Sequence, residues 1–129
     1  MIRVTREQLI ASERGLSVLA NAKLPISVSY RINKIIQQVA RELQETEKIR
    51  QEILQKYAEH NEAGEMVVNK DNNSIQIKPE SKEDFAKEIT VLFSEICELT
   101  GDPIYVNLLD SVTMSSQDIA SIEPFLIVE

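Results

Sequence analysis

Apolar residues recur every three or four positions from Val28 to Tyr57, taking in Ile32, Ile35, Ile36, Val39, Leu43, Ile49, Ile53 and Leu54. That spacing winds one apolar stripe along an α-helix. It predicts a helix over residues 26–59, roughly 34 residues and about 50 Å long at 1.5 Å per residue. A chain of 129 residues has room for one core of ordinary size, so the remaining elements must be arranged around this rod. Its beginning, Leu24-Pro25-Ile26-Ser27-Val28-Ser29-Tyr30-Arg31-Ile32, opens like a strand with β-branched and aromatic residues. Pro25 decides for the helix, because its ring presets the φ of a first turn and the N–H it lacks would go unpaired there anyway.

The flanking segments carry their own punctuation. Thr5-Arg6-Glu7-Gln8 is a capping box, in which hydroxyl and amide each serve the other's free backbone N–H. It predicts a first helix over 6–22, with Gly15 inside it at a cost of about 1 kcal/mol relative to Ala and as a place for a bend. Ser81-Lys82-Glu83-Asp84 repeats the capping pattern ahead of Phe85, Ile89, Leu92, Phe93, Ile96 and Leu99, which predicts a third helix over 82–99 closed by Gly101 and Pro103. Between the two lie "MVV" and "SIQIK" around a turn rich in Asn and Asp, a loose hairpin over 66–78. Ile104, Val106 and Leu108 alternate with Tyr105 and Asn107 as in a strand over 104–109. Ser115 caps a short helix over 116–122, which Pro124 stops before the apolar "FLIV". The expected whole is a single domain over 1–129, α+β and predominantly helical. It comprises a helical hairpin with one long helix, a small β element and a third helix packed on the long one.

Residues able to do chemistry are few. A lone Cys97 makes no internal disulfide, and a single His60 anchors no conventional zinc site. Cys97 reads as a core or boundary residue, since a reactive thiolate needs a nearby cation or helix N-terminus. His60 reads as a cation at a helix end. Glu42, Glu45, Glu47, Glu83, Asp84 and Glu88 read as solvated faces, and the Asp71-Asn72-Asn73 loop lacks the Gly and terminal Glu of a calcium loop. No phosphate-binding glycine motif, zinc-protease motif or nucleophile elbow occurs. A non-enzymatic protein without catalytic residues, metal or cofactor is expected. The first fourteen residues are charged and have no apolar run of signal-peptide type, which suggests the cytosol and no membrane partner.

Charge is distributed unevenly. Residues 1–60 hold ten Lys and Arg against seven Asp and Glu, and residues 61–129 hold four against fourteen, within a net charge of −7. Arg31, Lys34 and Arg41 can share one stripe of the long helix outside its apolar seam, which makes them the candidate contacts for nucleic acid. Three cations are fewer than duplex binding ordinarily recruits, so contacts with protein are the leading expectation. A first helix half as long as the rod leaves its second half short of cover, and the apolar tail needs a place to dock. Ile49, Ile53, Tyr57, Phe125, Leu126 and Ile127 are therefore the expected protein interface, with a homo-oligomer, preferably a dimer, as its product.

The order of these pieces, with Leu24-Pro25 and Ser29-Tyr30 opening the long helix and Glu123-Pro124-Phe125 near the end, resembles a family of small proteins encoded by bacteriophages and prophages of Gram-positive bacteria. The resemblance covers nearly the whole chain and implies a viral origin, a setting in the host cytoplasm or the virion, and no established activity. In that setting the chain would be a virion or assembly component or a modulator of a host factor. The alternatives are a nucleic-acid-associated protein using the basic first half, or an oligomeric, sponge-like binder of small ligands.

Overall fold

Thr5 ends one element and begins the next. In the computed structural model, which describes residues 1–128, strand β1 spans Ile2–Thr5 and helix α1 spans Arg6–Ala20. The capping box forms as its pattern predicts, with Gln8 N–H donating to Thr5 Oγ1 (3.1 Å) and Thr5 N–H donating to Gln8 Oε1 (2.9 Å). Helix α2 follows at Ile26–Tyr57, and the Pro25 carbonyl accepts the Val28 and Ser29 amides at its first turn, both at 3.0 Å. The chain continues through helix α3 (Lys82–Ser94), strands β2 (Ile96–Leu99) and β3 (Ile104–Tyr105), helix α4 (Ser116–Ser121) and strand β4 (Leu126–Ile127). The fold is α+β and 59% helical. Its residues group into two compact units, Met1–Gln44 with Ser94–Glu129, and Glu45–Phe93.

The first unit holds the main core. Ile2 and Val4 of β1, Leu9, Leu16 and Leu19 of α1, and Val28, Ile32, Ile35 and Val39 of α2 join Cys97, Leu99, Ile104, Ile122 and Phe125 in one buried cluster. Each such side chain contributes about 1.5–3 kcal/mol when removed from water. β1 pairs antiparallel with β2, from Ile2 opposite Leu99 to Thr5 opposite Ile96. β3 pairs parallel with β4, placing Ile104 beside Leu126 and Tyr105 beside Ile127. Arg6 ties three elements together. The residue is 5% exposed, and its guanidinium donates to the Glu42 carbonyl (3.3 Å), Glu42 Oε2 (3.4 Å) and Glu95 Oε1 (3.2 Å). Burial works against its charge, but the Glu95 hydrogen bond and the neighbouring acidic groups outweigh it and hold the Arg6 pKa above the ordinary value.

At Gly15 the α4 segment packs directly against α1. A Cβ there would lie 2.5 Å from the Asp118 carbonyl oxygen and 2.5 Å from Ile122 Cγ2. Around it, Gly15 N–H donates to Ser121 Oγ at 3.1 Å and Arg14 Nε to Asp118 Oδ1 at 2.6 Å. The helix runs unbroken through the glycine, so its role is to admit α4 rather than to terminate α1.

In the second unit, the end of α2 leads into three short extended segments. Bridges join Ala58 to Ile77, His60 to Met66 and Val68 to Ile75. The turns are built by Asn side chains: Asn61 Oδ1 accepts from the Ala63 and Glu65 amides, and Asn69 and Asn72 accept from Asp71 and Ser74. Gly64 (φ 79°) and Asn73 (φ 58°) take the left-handed positions. α3 packs on α2 through the edge-to-face pair Tyr57–Phe85, at 6.3 Å between centroids, and through Lys56 Nζ with Glu88 Oε1 at 3.2 Å. Lys56 is thus drawn to the neighbouring helix. On α2 itself Arg50 makes a two-pronged bond to Glu47, at 2.7 and 2.9 Å.

Several expected boundaries shift. The helix expected over 82–99 stops at Ser94, and residues 96–99 form β2 instead. Cys97 and Leu99 are buried while Ile96 and Glu98 are exposed, a period of two that four residues alone could not distinguish from a helix face. Gly101 (φ 104°) and Pro103 therefore turn β2 toward β3 and do not end a helix. The strand expected over 104–109 is extended only at Ile104–Tyr105 and then winds into one 3-10 turn, Val106–Leu109. α2 ends at Tyr57, two residues before 59, because Ala58 bridges to Ile77. The loose hairpin over 66–78 exists but gains a third segment at 58–60.

Gly15→Ala is predicted to destabilise the protein by about 1–3 kcal/mol in urea denaturation, because overpacking against the α4 backbone outweighs the gain in helix propensity. A stabilised variant would show that α4 yields at no cost. Glu47 supplies an acid-side test. Hydrogen bonds from Arg50 first, and from Gln51, lower its pKa to about 2. A depressed carboxylate stabilises the fold above its ordinary pKa and loses that contribution as pH falls through the folded value. Titration of its carboxyl by NMR is expected to centre near pH 2, and the destabilisation caused by Glu47→Gln at neutral pH to vanish there; a midpoint above 4 contradicts the bonding.

Candidate functional site

The sequence marks Arg31, Lys34 and Arg41 as a stripe on α2, and the structure places all three on the wall of one cavity. The opposite wall is the Thr100–Asp102 turn, and the volume enclosed is about 480 Å³. Two α2 side chains hold that turn in place. Gln38 Oε1 accepts from Thr100 N (2.8 Å) and Oγ1 (3.0 Å), while Gln38 Nε2 donates to the Thr100 carbonyl (3.0 Å). Arg31 Nη2 donates to the carbonyls of Pro103 (3.0 Å) and Asp102 (3.5 Å). Arg31 is thus partly engaged in structure, which the helical wheel could not show.

Lys34 and Arg41 are exposed, and neither takes part in an ion pair among the described residues. The Lys34 ammonium lies 5.3 Å from the Tyr30 ring centroid, and Tyr30 is 61% exposed. Gln37 completes the α2 wall. Sequence reasoning found the three cations and missed both the turn and the clamp. Gly101 before Asp102-Pro103 was the available sign of a turn.

The expected interface residues separate into two places. Phe125 is 2% exposed and belongs to the core of the first unit, so its assignment to a protein interface is corrected: Pro124 and the turn at Glu123–Phe125 swing its ring inward behind Ile122. Leu126 is half-buried and lines an apolar cleft of about 210 Å³ with Val106, Val112, Met114 and Ile119. Ile127 is exposed and sits beside Tyr105 across the β3–β4 pair. Tyr105, Val106, Leu108 and Ile119 are also exposed, and none of the four was assigned to an interface from sequence.

Ile49, Ile53 and Tyr57 lie half-buried in the second unit. Tyr57 is engaged with Phe85, and its phenol pKa is raised, first by hydrogen bonding to Glu88 and then by desolvation. The fully buried hydrophobic residues described in this unit are Leu54, Ala58 and Leu92. Cys97 is buried on β2, and burial first, with Glu42 and Glu95 adding, pushes its thiol pKa up against the opposing pull of Arg6. Among the described residues no group of three His, Cys, Asp or Glu is placed to hold a metal ion, and no helix is long and apolar enough to cross a membrane. No family model, curated protein or solved structure matches the chain.

Proposed function

We propose that this chain is a non-enzymatic protein of the phage type that works through protein–protein contacts, and that its first partner is a second copy of itself. One observation carries the reading. On β3, the turn after it, α4 and β4, five apolar side chains stand open to solvent, Tyr105, Val106 and Leu108 at 39%, Ile127 at 40% and Ile119 at 47%, and Val106 and Ile119 line the cleft together with Leu126. Grouped exposure of this kind is costly in water and characteristic of interfaces.

A second copy fits this surface in two respects. Copies that each carry −7 repel one another, so they meet most easily where charge is sparse, and among the described residues Asp110 is the one charged residue that lines the cleft. The sheet of β3 and β4 is also only two strands wide, leaving a strand edge able to pair with the same edge of another copy about a two-fold axis. In a phage setting such a dimer would present the rest of its surface to an assembly or host protein.

The test is the double variant Ile119→Glu, Ile127→Glu. Both residues are exposed, so the fold is expected to change by no more than about 0.5 kcal/mol. Sedimentation equilibrium should show a dimer for the unaltered chain and a monomer for the variant, with helicity by circular dichroism the same in both. An unaltered chain that is already monomeric at tens of micromolar, or a variant that still assembles, would contradict the proposal. Dissociation by Ile53→Glu with Tyr57→Glu, and not by the first pair, would move the interface to the second half of α2.

A further inference from the structure

We infer that the cavity between α2 and the Thr100–Asp102 turn binds a small phosphate-bearing ligand of mononucleotide size. The cavity has the opposite sign to the protein. Arg31, Lys34 and Arg41 face one acid, Asp102, a balance of +2 in a chain of −7. A phosphate monoester carries about −1.5 to −2 at neutral pH, so it neutralises the cavity with little remainder.

The walls are prearranged. Gln38 and Arg31 hold the turn by hydrogen bonds to its backbone and to Thr100 Oγ1, so binding need not order them, and preorganisation of this kind raises affinity. Lys34 and Arg41 have no competing ion pair among the described residues and are the groups left to grip the anion. Arg41 can offer its two-pronged donor face and Lys34 a point charge. Tyr30 adds an exposed aromatic surface at the same wall, and Gln37 an amide, the groups a planar base would use.

Size and charge argue for a small ligand over a polymer. About 480 Å³ falls within the range of roughly 300–1,000 Å³ usual for small-molecule sites. Three cations, one of them engaged with carbonyls, are too few to track a duplex whose binding rests on many phosphate contacts.

Calorimetric titration of the full-length chain at low salt, with adenosine 5′-monophosphate, inorganic phosphate and adenosine as separate probes, tests the inference. The monophosphate should bind, more weakly as salt rises, and Lys34→Gln with Arg41→Gln should weaken it at least about tenfold, the loss expected for charge-assisted bonds. Lys70→Gln, an exposed cation outside the cavity, should leave binding unchanged. Absence of binding at millimolar monophosphate, or binding that the double variant does not weaken, would overturn the site. Adenosine binding as tightly as the monophosphate would overturn the phosphate as the recognised group. Duplex DNA binding more tightly than the monophosphate through Lys34 and Arg41 would overturn the small-ligand assignment in favour of nucleic acid.

Discussion

The missing side chain at position 15 governs how the last third of the first unit attaches. With no Cβ at Gly15, the α4 backbone and Ile122 reach within van der Waals range of α1, and Ser121 and Asp118 anchor the contact through Gly15 N–H and Arg14. Ile122 and Phe125 are thereby carried into the core at 0% and 2% exposure. Ile119 and Ile127 are left outside, and Leu126 is left at the mouth of a cleft. The apolar surface proposed as an interface lies on the segments that continue from this contact.

Much of this fold was legible in the residues, and the failures have physical causes. The stripe from Val28 to Tyr57 gave α2 because a period near 3.6 sustained over so many turns has no competing interpretation. The Thr5–Gln8 box and the Ser115 cap were equally reliable, since the first is a reciprocal pair of local hydrogen bonds and the second a single local one. The segment after Ser94 misled because "ICEL" suits a helix face and a strand equally, and what selects the strand is distant: β1 pairs with it, and the Arg6 amide bonds the Glu95 carbonyl at 3.0 Å. The tail misled in the same manner. Four consecutive apolar residues say that something is buried without saying which, and Phe125 alone of the four is fully enclosed.

The candidate cavity divides similarly. Its cations could be found because they lie on one helix, where spacing converts directly into shared position. Its other wall comes from residues 62 to 72 positions away, brought in by Gln38 and Arg31, and no local pattern encodes that pairing. The charge asymmetry read along the chain has its counterpart here in space: a cavity wall rich in cations belongs to a protein whose surplus is acidic. A site of this sign within a chain of the opposite sign concentrates small anions locally while the protein as a whole repels polyanions.

The account stands on the claim that the surface formed by β3, the turn after it and β4 is covered by a second copy. Hydrogen exchange at the backbone amides of Tyr105, Val106, Leu108, Ile127 and Val128, measured in concentrated and in dilute protein, reads that coverage directly. Protection present at high concentration and lost on dilution, with α1 unchanged, is the predicted result. Equal exchange of these amides at every concentration, with any concentration-dependent protection confined to the second half of α2, would contradict it.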